Sequence, residues 1–107
     1  MNSTNPPENV INCLQTILDA IAVGNYKLFL AVGDSDYKAG ITKEMFDTVS
    51  SQLAPRMSEG YKITYFGHLI QQGYQIYLWK LSFVDGKDEF AARMTMNRDK
   101  VSGILIT

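Results

Sequence analysis

The stretch "YQIYLWKLSFVDGKDEFAARMTM", residues 74–96, decides the fold of this chain. Large apolar side chains recur at every second position before and after Asp85-Gly86, and this period of two is typical of β-strands with one covered face. Asp-Gly tolerates the positive φ angles that a two-residue hairpin turn requires. The stretch therefore predicts two antiparallel strands, near 74–84 and 88–96, joined by a tight turn at Asp85-Gly86.

The position of the turn also predicts the register. With Asp85 and Gly86 as the loop residues, Leu81 lies opposite Phe90 and Trp79 lies opposite Ala92. One face of the sheet then carries eight residues: Tyr77, Trp79, Leu81, Phe83, Phe90, Ala92, Met94 and Met96. Burying them, at ~25 cal/mol per Å² of apolar surface, supplies most of a core. We expect helices to cover this face.

The opposite face of the same strands also carries apolar side chains. Tyr74, Ile76 and Leu78 follow one another on it, beside Lys80 and Ser82. A contiguous apolar patch is unusual on the solvent face of a monomer. The sequence therefore predicts a homodimer that packs through this back face.

The remainder of the chain predicts an α+β domain. Residues up to about 57 show helical spacing, whereas strands are indicated near 60–70, 74–84, 88–96 and 101–107. Short turns, "QQG", "DG" and "NRDK", join these strands, so we expect a four-stranded antiparallel meander. Three N-terminal helices are predicted to pack on one face of this sheet.

The helix boundaries follow from capping residues. Asn5 is predicted to cap the first helix, which ends at Gly24. A short second helix, "YKLFLAV", is predicted to stop near Gly33, and "GDSDYKAG" is expected to form a loop. A third helix begins after Thr42 and breaks near Pro55. Its predicted buried stripe consists of Met45, Phe46, Val49 and Leu53.

Composition limits the classes of function. The 107 residues have a net charge of −1 and scattered basic residues, which disfavours nucleic-acid and membrane surfaces. We find no apolar run near ~20 residues and no signal-peptide pattern at the start. Cys13 is the only cysteine, and no zinc-like spacing occurs. We expect one domain over residues 1–107, in the cytoplasm, with no metal and no cofactor.

The role of the only histidine, His68, depends on the turn at "QQG". If Gln72 and Gly73 form a two-residue loop, the core face gains Phe66, His68 and Ile70. A three-residue loop instead turns Ile63, Tyr65 and Leu69 inward and places His68 on the back face, because a shift of one residue reverses every side chain. Both alternations are apolar enough to be credible.

Several segments resemble the nuclear transport factor 2-like superfamily, whose fold is also called cystatin-like or SnoaL-like. They are "GNYKLFLAVGD", "YFG", "YLWKLSFVDG" and "KVSGILI". The resemblance implies helices packed on a curved four-stranded antiparallel sheet, a cone-shaped cavity between them, and frequent sheet-to-sheet dimers. Steroid-isomerase-like members carry acidic residues and a tyrosine inside the cone, whereas the predicted core face here holds Tyr77 but no carboxylate.

Two functional hypotheses follow. The first is a non-enzymatic domain that binds a small apolar ligand in its cavity or serves a protein interaction. Its predicted pocket is lined by Phe66, His68, Tyr77, Trp79, Phe90 and Met94. The second is a small lyase-, isomerase- or cyclase-like enzyme, with His68 as base and Tyr77 as hydrogen-bond donor to a developing oxyanion. The sequence leaves the choice between enzyme and non-enzyme open.

Overall fold

The computed structural model describes residues 5–107. Within this range four helices precede four strands, and the strands form one antiparallel sheet in the order β1-β2-β3-β4. The elements are α1 (Glu8–Val23), α2 (Tyr26–Leu30), α3 (Ser35–Gly40), α4 (Lys43–Ser58), β1 (Tyr61–Gln71), β2 (Tyr74–Phe83), β3 (Phe90–Asn97) and β4 (Lys100–Ile106). The predicted α+β class and antiparallel meander are confirmed, but the predicted number of helices was one too few.

The extra helix lies where the sequence predicted a loop. Asp34 accepts a hydrogen bond from the Tyr37 N–H at 3.0 Å and so caps α3. This bond is the main cause that lowers the pKa of Asp34. The Tyr37 ring is buried, and its hydroxyl donates to the Phe29 carbonyl at 2.9 Å. Six residues are too few to show helical periodicity, so only the packing of Tyr37 reveals the helix.

Two predicted helix boundaries were also wrong. Helix α1 begins at Glu8 with Pro7, not Asn5, at the N-cap position, although Gly24 ends it in the left-handed conformation as predicted. Helix α4 continues through Pro55 to Ser58. Proline deprives the carbonyl four residues earlier of its partner, but Ser51 and Pro55 are both exposed, so water can satisfy that carbonyl.

The register predicted from Asp85-Gly86 is confirmed. Leu81 pairs with Phe90 and Trp79 pairs with Ala92. The turn itself is looser than a two-residue loop, because the paired strands stop at Leu81 and Phe90 and only Gly86 takes a positive φ, of 70°. Seven of the eight predicted core residues are at most 7 % exposed, and Phe90 is half-buried against them.

Strand β1 combines the two registers that the sequence left open. Gln71 pairs with Tyr74, so Gln72 and Gly73 form a two-residue turn with positive φ at both positions. A β-bulge then shifts the register between Tyr65 and Gly67. Before the bulge in chain order, the core face carries Ile63 and Tyr65, as the alternative with a three-residue loop predicted. After the bulge, His68 lies opposite Tyr77, as the alternative with a two-residue loop predicted.

Part of the predicted stripe on α4 is not buried. Phe46 and Leu53 are at most 5 % exposed, but Met45 is 52 % exposed and Val49 is 37 % exposed. The apolar spacing of α4 therefore continues beyond the area that the sheet covers. These two side chains line the candidate site described below.

An ion pair joins the end of α4 to the turn between β2 and β3. Arg56 donates to both carboxylate oxygens of Asp85, at 2.7 and 3.0 Å, and to the Asp88 carbonyl at 2.7 Å. Its guanidinium carbon lies 4.0 Å from the centre of the Phe83 ring. The hydrogen bonds from Arg56 are the main cause that lowers the pKa of Asp85 to about 2.

This ion pair predicts how stability depends on acid. A carboxyl whose pKa falls on folding adds stability above its ordinary value of 3.8, and this stability is lost as the pH falls towards 2. We expect the Tm of the wild type to fall between pH 4 and pH 2, and that of Asp85→Asn to fall less over the same range. Thermal unfolding followed by circular dichroism measures both slopes. Equal slopes would show that Asp85 is not the responsible group.

Candidate functional site

His68 and Tyr77, the pair considered for catalysis, lie side by side. Their rings stack with centroids 5.4 Å apart, where β1 and β2 pair on the helix side of the sheet. His68 is exposed, and among residues 5–107 no carboxylate hydrogen-bonds to it or forms an ion pair with it. The carboxylate of Asp34 caps α3 and accepts a hydrogen bond from the Asn97 side chain. Within the described part of the chain, His68 therefore has no acidic group to orient it as a base.

The six residues predicted to line a pocket do not surround one space. Tyr77, Trp79 and Met94 are buried in the core, and Phe90 is half-buried at its margin. Phe66 is the additional residue of the β1 bulge and is 64 % exposed, while His68 is exposed next to Tyr77. Side chains thus fill much of the space between helices and sheet that the resemblance implied to be a cavity.

Trp79 holds the centre of this packing. Its ring lies 5.6 Å from that of Tyr65 and 6.2 Å from that of Tyr77. The indole N–H is buried and has no hydrogen-bond partner in the described part of the chain. An unpaired buried donor costs free energy, so the burial of the large ring must outweigh this cost.

The predicted dimer residues differ in what they can offer a partner. Ile76 is only 4 % exposed on the back face, where it pairs with Leu69 and Thr95. Leu78 is half-buried, and Tyr74 is 37 % exposed. Most of the apolar surface that prompted the dimer prediction is therefore covered within one chain.

An apolar groove lies between α4 and β4. Its volume is about 170 Å³. Its lining residues are all apolar: Ile21, Phe29, Ile41, Met45, Phe46, Val49, Ile104, Leu105 and Ile106. Met45, Val49 and Leu105 are exposed at its rim. A wider depression on α4, about 630 Å³, is lined only by exposed polar residues, which makes it part of the solvated surface.

Strand β4 forms one side of the groove and one edge of the sheet. Thr107 exchanges two hydrogen bonds with Ala91, at 2.9 and 3.1 Å. Because hydrogen-bonding direction alternates along antiparallel strands, Leu105 also bonds towards β3, whereas the N–H and C=O groups of Ile104 and Ile106 point away from it. In the described chain no backbone group bonds to this outer side of Ile104 or Ile106.

The start of the same edge is covered. Val101 donates to the Val32 carbonyl at 3.0 Å, and its own carbonyl accepts from the Asp34 N–H at 2.9 Å. A register shift between Thr95 and Met96 separates this covered part from the open part. The open edge therefore consists of residues 102–107.

The two edges of the sheet differ in their protection. Proteins commonly guard an edge strand with charged residues or bulges, because unpaired N–H and C=O groups attract other strands. Strand β1 has both Lys62 and the bulge beside Gly67. The open edge of β4, "SGILIT", has no charge and no proline. The unprotected edge thus adjoins the apolar groove.

The sequence did not identify this site, although it contained two signals. The apolar spacing of α4 included Met45 and Val49, and "SGILIT" is an uncharged strand at the end of the printed sequence. The prediction assigned Met45 and Val49 to the core and residues 101–107 to the last strand of the meander. Only the packing of α4 away from the outer edge of β4 leaves them open.

The described residues form neither a metal-binding cluster nor a helix able to span a membrane. Residues 5–107 contain no group of three or more His, Cys, Asp or Glu side chains placed to hold a metal ion. In the same range, no helix has both the length and the apolar character needed to cross a bilayer.

Comparison with known proteins bears on the fold alone. No family model and no curated protein matches this chain. Among solved structures, the chain is similar to an uncharacterized cystatin fold protein from Novosphingobium aromaticivorans, with 12 % identity and a TM-score of 0.45. The match covers 95 % of this chain and 99 % of that one. Within residues 5–107, helices packed against a four-stranded antiparallel sheet form the α+β arrangement that the sequence predicted.

Proposed function

We propose that this protein is a non-enzymatic interaction domain that binds an extended, uncharged, aliphatic segment. The segment adds a strand to the open edge of β4 and places one side chain in the groove between α4 and β4. The observation that carries the proposal is the adjacency of an unprotected strand edge and an apolar groove. Strand addition of this kind takes affinity from main-chain hydrogen bonds and specificity from pockets for alternate side chains.

The size of the groove favours a side chain over a small molecule. Pockets for drug-sized ligands usually measure ~300–1,000 Å³. The groove, at about 170 Å³, holds roughly one large aliphatic side chain. We therefore place the interaction role ahead of the small apolar ligand that the sequence also suggested.

We rank the enzyme hypothesis second, and two observations support this order. His68 and Tyr77 stack on the helix side of the sheet, but neither lines the groove, and among residues 5–107 no acidic group orients His68. The cytoplasmic setting expected from the sequence stays a prediction.

Titration of dilute ¹⁵N-labelled protein with an uncharged alternating peptide, Thr-Ile-Thr-Ile-Thr, tests the proposal. We expect amide shifts confined to Ile104, Leu105 and Ile106 and to the first two turns of α4, with a dissociation constant in the micromolar to millimolar range. Val49→Asp puts a charge into the groove and is expected to weaken binding at least tenfold, since burying an unpaired carboxylate is costly.

Thr48→Asp is the matched control, because Thr48 is the neighbouring exposed residue of α4 and does not line the groove. It should bind the peptide as the wild type does. Absence of shifts at millimolar peptide, or shifts centred on His68 and Tyr77, would contradict the proposal. Binding of benzene without binding of the peptide would favour the small-ligand hypothesis instead.

A further inference from the structure

We infer that the segment docked on the open edge of β4 is β4 of a second copy, paired antiparallel about Leu105. The two sheets then join as one eight-stranded sheet. This inference rests on the proposed function of the same edge and names its partner. It moves the predicted homodimer from the back face to the edge of the sheet.

The outward hydrogen-bonding groups of β4 are complementary to those of an antiparallel β4 from a second copy. Ile104 and Ile106 are the residues whose N–H and C=O groups point outward. Antiparallel pairing about Leu105 puts Ile104 opposite Ile106 of the second copy, and Ile106 opposite its Ile104. Each of these pairs exchanges two hydrogen bonds. The pairing satisfies four outward N–H groups and four outward C=O groups without moving either backbone out of its strand.

The side chains match in the same register. Leu105, 55 % exposed, meets Leu105 of the second copy in a non-hydrogen-bonded pair, where Cα atoms are only ~4.5 Å apart. Ile104 and Ile106 lie on the helix side, because they pair with Met94 and Ala92 of the core face. Their counterparts in the second copy therefore reach the mouth of the groove, beside Met45 and Val49.

Charge also permits pairing between identical copies. Residues 102–107 carry no charged side chain, so no like charges face one another across the two-fold axis. The net charge of −1 produces little repulsion between whole molecules. A strongly charged partner segment would find no complementary group on this edge.

The extent of the contact predicts its strength. About five residues of strand, at ~3.4 Å each, give a contact ~17 Å long. Such a contact falls at the low end of specific interfaces, below ~1,200 Å² in total. We therefore expect a reversible dimer with a dissociation constant on the order of 10 μM, rather than a permanent one.

Sedimentation velocity of the full chain, at protein concentrations between about 1 and 300 μM, tests the inference. This range lies on both sides of the expected dissociation constant of about 10 μM. The wild type should change from monomer to dimer across this range. Ile106→Pro removes an outward N–H and leaves the bonds to β3 intact, while Leu105→Lys adds a charge at the axis. Both variants should stay monomeric, with the circular dichroism of the wild type.

Tyr74→Lys is the matched control, because it charges the back face instead of the edge. It should dimerise as the wild type does. A wild type that stays monomeric at 300 μM would overturn the inference, and so would a dimer lost in Tyr74→Lys but kept in Ile106→Pro. Peptide-induced shifts in a monomeric wild type would leave the proposed function standing, so the two failures are distinguishable.

Discussion

Replacing Trp79 with alanine is expected to lower the free energy of unfolding by about 3–5 kcal/mol, the cost typical of removing a large buried aromatic side chain. Trp79 is 1 % exposed, contacts the rings of Tyr65 and Tyr77, and is among the largest fully buried side chains. Native domains are stable by only ~5–15 kcal/mol, so the variant should be near unfolding at room temperature. Urea denaturation followed by far-ultraviolet circular dichroism measures the change without relying on tryptophan fluorescence.

Two further variants test whether the stability lost in Trp79→Ala comes from the packing of the aromatic ring. Trp79→Phe keeps an aromatic ring and removes the unpaired indole N–H, so it should cost clearly less than Trp79→Ala. Val84→Ala truncates an apolar side chain that is 74 % exposed and should change stability by under ~0.5 kcal/mol. Equal losses for Trp79→Ala and Val84→Ala would mean that the aromatic layer is not the core of this protein.

Replacing Gly33 with alanine is expected to destabilise the protein by about 3 kcal/mol, at the upper end of the usual cost of overpacking. A Cβ atom at Gly33 would lie 2.8 Å from the Cβ of Tyr37 and closer still to its ring. That ring cannot withdraw, because it is 1 % exposed and its hydroxyl is bonded to the Phe29 carbonyl. Gly33 also forms a bridge with Val101, so a shift of the backbone would loosen the covered start of β4.

Gly40→Ala provides the comparison for this substitution. Gly40 also has no positive φ, and a Cβ atom there meets nothing within 4 Å. The added methyl should therefore be neutral or slightly stabilising, since alanine favours helix more than glycine does. Thermal unfolding of the two variants separates them. A destabilisation of ~1 kcal/mol or more lowers the Tm by several degrees. If the Tm of Gly33→Ala lies within about 1–2 °C of that of Gly40→Ala, this result would contradict the close packing of Tyr37.

The candidate site illustrates why sequence patterns identify surfaces less well than strands. Its lining comes from α1, α2, α4, β4 and the segment between α3 and α4, which are far apart in the chain. The spacing of Met45 and Val49 correctly predicted an apolar helix face. It did not predict that the face extends beyond the sheet, because this depends on where α4 crosses the strands. The same limit applies to His68, whose surroundings depend on both the turn at Gln72-Gly73 and the bulge.

The sequence by itself determined the class of fold, the meander and the register of the central hairpin. Each follows from a local rule, since side chains alternate along a strand and Asp85-Gly86 marks the turn from which to count. The tertiary structure alone decided the reversal of faces at the bulge, the helix that begins after Asp34, and the gap between α4 and β4. The physical reason is that these features arise from contacts between distant segments, and such contacts leave no periodic trace in the sequence.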